Sequence, residues 1–232
     1  MGGSPFTEAF GLITSGDPVL MQIIALSLRV TLSAVLAGSL IGLPLGAALA
    51  LARFPGRAGV VVFFNAMMGL PPVVAGLLIY LLLSRSGPAG AMGLLFTPTA
   101  MILAQTMLIL PIVVSLSRSV IEDLWEEYSE YLRSLGSSKW RAVPTLLWDG
   151  KFSLLTGVLA GVGRASAEVG AVLIVGGNIA GYTRTMTTAI TLETSRGNIA
   201  VAVGLGIVLL AITFALNAGA YGVAQWARRV TG

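Results

Sequence analysis

The chain has 232 residues, of which 56% are hydrophobic and only 10% are charged. Soluble domains usually carry about a quarter charged residues, so this composition excludes an ordinary soluble domain and indicates an integral membrane protein. The chain contains no cysteine and no histidine, which excludes disulfide bonds, thiol metal sites and the commonest acid–base side chain.

Long apolar intervals predict five membrane-spanning helices, near residues 25–52, 62–84, 95–118, 153–177 and 200–226. Roughly 20 apolar residues cross a bilayer core, and backbone that faces lipid must satisfy its own hydrogen bonds. The expected fold class is therefore all-α, a polytopic membrane protein with a single transmembrane domain over residues 1–232. The start of the first span is left open, because residues 18–29 could lie along the outer surface instead.

Small residues and prolines recur inside these spans. Gly38, Gly42 and Gly46 repeat at four-residue spacing in span 1, as do Gly157 and Gly161 in span 4. This spacing is typical of membrane helices that approach each other closely, and we favour that packing role over contact with a ligand. Prolines predict bends in spans 1, 2 and 3, at Pro44, Pro71, Pro72 and Pro111.

The net charge of +4 is informative mainly through the positions of the basic residues. If residues 122–151 are cytoplasmic, the basic residues on the inner side outnumber those on the outer side. The inner set is Arg53, Arg57, Arg118, Arg133, Lys139, Arg141, Lys151, Arg228 and Arg229, and the outer set is Arg85, Arg184 and Arg196. The positive-inside rule then predicts an outer N-terminus and an inner C-terminus, with Arg29 and Arg164 inside spans.

A polar segment, residues 122–151, separates spans 3 and 4. Its first part has apolar residues at spacings of three, four and three, which places them on one face of a helix. These residues are Trp125, Tyr128, Leu132 and Leu135. Gly136 then suits a left-handed C-cap. Ser137 and Ser138 suit the start of a second helix, which Pro144 is expected to limit or bend. We therefore predict two short amphipathic helices joined at a glycine.

The predicted hairpin could lie on the lipid surface or bind another protein. Acidic residues favour the protein, because an anionic membrane leaflet would repel them. The acidic residues are Glu122, Asp123, Glu126, Glu127 and Glu130.

The stretch "EYLRSLGSSKWRA" resembles the E-A-A-x-x-x-G coupling motif of ABC importer permeases, with Glu130 and Gly136 at the matching ends. Tyr131 and Leu132 replace the two alanines, and Asp149 stands about where that family has a proline. The resemblance implies that this segment docks in a groove of a cytoplasmic ATPase. The implied coupling residues are Glu127, Glu130, Tyr131, Leu132, Leu135, Gly136, Ser137 and Ser138. The chain lacks a P-loop motif, so ATP would be bound by the partner.

The last informative stretch is residues 163–198. Arg164 and Glu168 are four residues apart in span 4, so we expect them to share a helix face and form a structural ion pair. Direct contact of Arg164 with a substrate is the alternative. Hydrogen-bond donors follow the span, and a multivalent anion requires donors. The candidate translocation path is therefore Arg164, Glu168, Asn178, Thr183, Arg184 and Thr185.

The stretches "AEVGAVLIVGGNI", "TRTMTTAI" and "LETSRGN" resemble the permeases of tungstate importers, and the similarity extends from span 1 to span 5. This resemblance implies a type I ABC importer permease in the cytoplasmic membrane of a prokaryote. The implied partners are a second copy of the chain, two ATPase subunits that use ATP and Mg²⁺, and an extracytoplasmic oxyanion-binding protein. We expect no catalytic residues, metal, bound cofactor or nucleic acid for this chain.

Alternative functions remain open from the residues. The substrate could be molybdate or another oxyanion. A secondary transporter or channel that works without ATP would show internal inverted repeats, and none is found. An intramembrane enzyme is disfavoured by the absence of histidine and cysteine and by the scattering of the carboxylates.

Overall fold

The computed structural model describes residues 16–231, and this part of the chain is helical with no strand. The helices are α1 (Pro18–Leu51), α2 (Arg57–Met67), α3 (Pro72–Leu83), α4 (Pro98–Ser134), α5 (Lys139–Asp149), α6 (Lys151–Ser166), α7 (Gly170–Gly176), α8 (Met186–Ser195) and α9 (Ile199–Thr231), with a short 3₁₀ turn at Gly90–Met92. The predicted all-α membrane fold is confirmed.

Three of the described helices, α1, α4 and α9, are long and apolar enough to cross a membrane. The predicted spans 62–84 and 153–177 are each a pair of helices rather than one continuous helix. The bend predicted at Pro71 and Pro72 is confirmed, and the bend in span 4 was not predicted. Span 2 is the pair α2 and α3, bent by 106°, and span 4 is the pair α6 and α7, bent by 60°. Each bent pair accounts for a further crossing if it spans the membrane as one unit, which gives up to five.

The α2–α3 bend follows from the two consecutive prolines, Pro71 and Pro72. Proline has no backbone N–H to donate and restricts the residue before it, so the helix is interrupted there. By contrast, α1 and α4 continue through Pro44 and Pro111, and α5 continues through Pro144 to Asp149. Pro144 therefore does not limit its helix.

The core of the described bundle is the packing of α4 against α1. The two helices run parallel, because glycines that advance along α1 meet residues that advance along α4. Gly38 faces Ile109, Gly42 faces Val113, and Gly46 faces Ser117. A Cβ atom built at Gly46 would lie only 2.6 Å from the carbonyl oxygen of Val114. The glycines predicted to allow close packing therefore do so, since no larger residue fits at this separation.

Helix α4 is 37 residues long and extends well beyond the predicted span 95–118. The first of the two predicted short helices is the end of α4 rather than a separate element. Helix-breaking residues are absent between Pro111 and Gly136, and Ile121 and Leu132 keep packing against the bundle. Nothing in the sequence between the apolar span and the polar segment therefore interrupts the helix.

Candidate functional site

The connection between α4 and α5 has the predicted turn geometry. Gly136 has a φ of 74°, in the left-handed region. The N–H of Gly136 donates to the carbonyl of Arg133 at 2.9 Å, and the N–H of Ser137 donates to the carbonyl of Leu132 at 3.0 Å. These two hydrogen bonds form a Schellman motif, which satisfies the last carbonyls of α4. Ser138 is the N-cap of α5. We call residues 135–138 the coupling turn.

Side chains around the coupling turn divide into a packed group and an open group. Trp125 and Leu132 pack against the cluster that contains Ile121. Tyr128 and Leu135, from the same predicted face, are instead 37% and 66% exposed, and the neighbouring Tyr131 is 65% exposed. The predicted single apolar face is therefore split, because half of it packs on the protein's own bundle.

The acidic residues of the same helix end remain open, since Glu127 and Glu130 are exposed. On α5, Trp140 and Trp148 are exposed large aromatic residues. The described surface of this segment thus combines carboxylates with uncovered apolar side chains.

A charge network fixes the base of this segment, and sequence reasoning missed it. The carboxylate of Glu122 accepts hydrogen bonds from the guanidinium groups of both Arg57 and Arg118. Arg57 also donates through Nε to the carbonyl of Leu49 at 2.8 Å, in the last turn of α1. The network therefore joins the end of α1 and an interior turn of α4 to the start of α2. The i,i+4 spacing of Arg118 and Glu122 could have predicted the ion pair between these two residues.

A basic cluster lies beside the coupling turn. The pKa of the Lys139 ammonium lies below its usual range because partial loss of hydration, and then the positive charges of Arg53 and Arg133, disfavour the protonated form. No ion pair to a carboxylate is formed by these three residues in the described part of the chain.

The two bends of the bundle, residues 68–71 and 167–169, form what we call the break region. Arg164 of α6 donates through Nη2 to the carbonyl of Leu70 at 3.3 Å. That carbonyl lies at the α2–α3 bend, where the first amides of α3 bond to Pro71 instead. A Cβ atom at Gly76 would lie 2.7 Å from the Cα of Ala171, so α3 and α7 pack in close contact.

Glu168 lies at the second bend and is only 2% exposed. Its Oε1 accepts a hydrogen bond from the N–H of Ala171 at 2.8 Å, in the first turn of α7. Its carbonyl accepts from the hydroxyl of Thr187 at 2.8 Å. The carboxylate therefore satisfies a helix-start amide and lies where the helix dipole favours a negative charge.

The expected ion pair between Arg164 and Glu168 is not formed, and that prediction is wrong. The i,i+4 geometry requires a continuous helix, but α6 ends at Ser166. The backbone turns between the two side chains, so each bonds to a different bend.

The loop after α7 brings the other predicted path residues together. The hydroxyl of Thr183 donates to the carbonyl of Gly176 at 2.5 Å and accepts from the N–H of Ile179 at 2.9 Å. Arg184 donates to both the side-chain and main-chain oxygens of Asn178, at 3.3 and 3.4 Å. Thr183 is fully buried and closes the end of α7, so its hydroxyl serves the fold.

Thr185 begins α8 through a reciprocal pair of hydrogen bonds with Thr188. It also lines a small cavity of about 20 Å³ inside the bundle. We call this space the polar cavity, because hydroxyl and amide groups line much of it: Ser27, Thr31, Gln105, Ser166, Thr187 and Thr213. The Nε2 of Gln105 donates to the carbonyl of Ala165 at 3.2 Å, while its Oε1 has no hydrogen-bond partner among the described residues. The polar cavity lies between α1, α4, α6, α8 and α9.

Comparison with known proteins identifies the class of the chain. A family model described as the inner membrane component of binding-protein-dependent transport systems matches residues 42–229. A probable anion ABC transporter permease protein of Haloferax volcanii is 42% identical over 204 residues, covering 86% of this chain and 88% of the relative. The tungstate uptake system permease protein TupB of Peptoclostridium acidaminophilum is 37% identical over 220 residues, covering 95% of this chain and 96% of the relative.

A more distant relative is the sulfate transport system permease protein CysW of a Synechocystis species. It is 31% identical over 219 residues, covering 90% of this chain and 76% of the relative. The matched region of the family model includes α4, the coupling turn, the break region and most of α9. The chain therefore belongs to the family of inner-membrane permease components of binding-protein-dependent ABC transport systems.

Proposed function

We propose that this chain is the permease subunit of an ATP-driven importer for tungstate. The relative from Peptoclostridium acidaminophilum, which is named for tungstate uptake, is similar over 95% of this chain. Relatives named for anion and sulfate transport support the wider class of tetrahedral oxyanions. Molybdate or another oxyanion is the alternative substrate.

The observation that carries the proposal is the open surface of the coupling segment. Tyr131 and Leu135 are exposed next to the carboxylates of Glu127 and Glu130. Uncovered apolar side chains rimmed by charge are typical of a protein interface. The proposed occupant of this surface is a cytoplasmic ATPase, with one copy for each permease. The ATPase would supply the P-loop that binds ATP and Mg²⁺, because the sequence of this chain contains no such motif.

The proposed assembly contains two copies of this chain around a central path and an extracytoplasmic binding protein that delivers the oxyanion. This chain performs no bond chemistry itself, and hydrolysis belongs to the partner. ATP binding would close the ATPase pair and move the coupling turns, opening the path outward. Hydrolysis would then reset the path inward.

The proposed path runs along the polar cavity. Its wall includes the hydroxyl groups of Thr31 and Thr213, which can replace part of the hydration of an oxyanion once the path widens beyond its present volume of about 20 Å³. Ser27, Thr187 and Gln105 already donate to backbone carbonyls and complete the wall. Arg164, Glu168 and Thr183 support this wall by holding the bends on either side. Their role in the proposal is to shape the path, because their polar atoms are already bonded to the backbone.

The test is reconstitution of the permease in proteoliposomes with its ATPase and its binding protein. Uptake and ATP hydrolysis are measured with the binding protein loaded with tungstate, molybdate or sulfate in turn. We expect the strongest stimulation with tungstate and no uptake when the ATPase is omitted. Stronger stimulation by molybdate or sulfate would transfer the proposal to that ion, and uptake without the ATPase would establish an autonomous transporter or channel.

A further inference from the structure

A second and larger cavity, of about 460 Å³, lies at the end of the bundle where α1 and α4 begin. We call it the outer cavity. Arg29 of α1 and Arg184 of the loop after α7 both line it, together with Pro98, the first residue of α4. Arg29 was predicted to lie within the first span. It lies within α1, at the level of the start of α4, and α1 extends about 17 Å further toward its own N-terminus.

Positive charge predominates among the described residues of the outer cavity, since none of those that line it is acidic. The ion pairs of the described chain join Arg57 and Arg118 to Glu122 and Arg196 to Glu193, so neither Arg29 nor Arg184 has a carboxylate partner there. An anion in the cavity would be attracted by both guanidinium groups.

Hydrogen bonds hold Arg184 in position, but they do not neutralise its charge. Its guanidinium donates to two oxygens of Asn178, which are uncharged. Asn178 itself has a φ of 50°, and Thr183 ties the same loop to the end of α7 through two hydrogen bonds. A charge held in place before a ligand arrives loses little conformational entropy on binding, so Arg184 is organised as an anion contact.

The outer cavity and the polar cavity share two segments of chain but lie on different faces of them. On α1, Arg29 lines the outer cavity, while Ser27 and Thr31 line the polar cavity. Residues two apart on a helix point to nearly opposite faces, so α1 lies between the two cavities at this level. On the loop before α8, Arg184 lines the outer cavity, and the next residue, Thr185, lines the polar cavity.

We propose that Arg29 and Arg184 form an entry site that receives a doubly charged tetrahedral oxyanion at the outer end of the bundle. Two guanidinium groups match the charge of such an ion and can each offer two N–H donors to its oxygens. Tyr182 and Gln22 also line the outer cavity and carry further donors. The cavity exceeds the size of one small oxyanion, so the ion would keep part of its hydration shell. The identity of the ion as tungstate rests on the proposed function.

The variants Arg29→Gln, Arg184→Gln and the double variant test this site in the reconstituted complex. The measurement is tungstate imported per ATP hydrolysed at a saturating concentration of loaded binding protein. We expect this ratio to fall about tenfold or more in the double variant, because hydrogen bonds to charged groups are among the stronger ones. Arg196→Gln is the matched control, since it removes an arginine from the same side of the protein but outside the cavity, and its ratio should equal that of the wild type.

Two other sources of negative charge give different results. If the arginines bind carboxylates of the binding protein, the double variant will lose affinity for that protein, loaded or empty, and the ratio per ATP will not change. If they bind lipid phosphate, the variants will match the wild type in vesicles of phosphatidylcholine alone and differ only when anionic lipid is present. Either result overturns the entry site.

The entry site also has a test that does not depend on transport. Equilibrium binding of tungstate to the detergent-solubilised permease–ATPase complex, without the binding protein, is compared between the wild type and the double variant. We expect weak binding that the double variant loses and Arg196→Gln retains. Equal binding by all three proteins would overturn the proposal. A wild type that binds tungstate but does not transport it would instead contradict the proposed function alone.

Discussion

The break region and the coupling turn use their polar and charged side chains in opposite ways. At the break region, Arg164 and Glu168 each bond to backbone groups that the bends leave open. At the coupling turn, the backbone completes its own hydrogen bonds through Gly136. Side chains there, such as Glu130 and Leu135, remain exposed.

The difference follows from where each interruption of the helix lies. In a lipid environment, backbone groups freed by a break have no water to bond, so side chains must satisfy them. At the aqueous face, a Schellman motif and water suffice, which frees the side chains for a partner. A charge inside the membrane therefore does not by itself mark a substrate site, whereas the open side chains at the coupling turn are available to the ATPase that we propose as a partner.

The largest expected effect comes from breaking the helix packing on which both regions depend. Gly46→Leu should abolish the detergent-stable complex, because its Cβ atom would lie 2.6 Å from a backbone oxygen of α4. Overpacking of a close interface costs about 1–3 kcal/mol or more. The yield of folded complex by size-exclusion chromatography measures this effect. Gly206→Leu, where a Cβ atom meets nothing within 4 Å, is the control, and a normal yield for Gly46→Leu would contradict the packing.

The next prediction tests whether Arg164 and Glu168 stabilise the break region by bonding to the backbone or by pairing with each other. Arg164→Met and Glu168→Met should each destabilise the complex by about 1–3 kcal/mol, because each leaves a backbone group at a bend without its side-chain partner. Thermal unfolding of the purified complex measures the loss. Since the two side chains serve different bends, the double variant should show nearly the sum of the two losses. Recovery of stability in the double variant would contradict this prediction and support an ion pair between the two side chains.

A smaller effect on the fold, with a large one on function, is expected at the coupling turn. Gly136→Val should cost about 1–2 kcal/mol locally, because a left-handed conformation disfavours any side chain with a Cβ atom. The membrane helices should still fold, while association with the ATPase falls in a pull-down from solubilised membranes. Gly136→Asn is the control, since asparagine tolerates this conformation. Normal association of the valine variant would show that the turn is not the docking point.

Single cysteine substitutions at exposed positions are expected to have the smallest effect on stability. Labelling these cysteines tests which side of the membrane each region faces. The chain has no native cysteine, so single cysteines report without background. Tyr182→Cys and Ser138→Cys lie at exposed positions at opposite ends of the bundle. An impermeant thiol reagent should label Tyr182→Cys in intact cells and Ser138→Cys only in inverted vesicles. The reverse pattern would invert the topology.

Features of the fold that depend on local pattern were predictable from the sequence. The apolar intervals predicted the membrane helices, the glycine spacing predicted the close approach of α1, and Gly136 with Ser138 predicted the turn into α5. Each of these depends on residues within a few positions of one another. The resemblance to oxyanion permeases added the class, which the comparisons with relatives confirm.

The remaining features depend on contacts between distant segments. The bonds of Arg57 to Glu122 and of Arg164 to Leu70 join residues 65 and 94 positions apart. No spacing rule gives such pairs. The bend at residues 167–169 was missed because the i,i+4 rule assumes that the helix continues. Arg29 and Arg184 line one cavity because α1 packs against α4 in a particular register. The glycines of α1 predict close packing, but the sequence does not say which residues of α4 they face.

The continuity of α4 has a mechanical consequence. Its 37 residues extend about 55 Å at 1.5 Å per residue, from Pro98 in the wall of the outer cavity to the coupling turn. A rod of this length acts as a lever: a tilt of about 5° about one end displaces the other by about 5 Å. A stroke applied at the cytoplasmic face can therefore reshape the outer cavity directly, without a relay of side-chain contacts through the bundle.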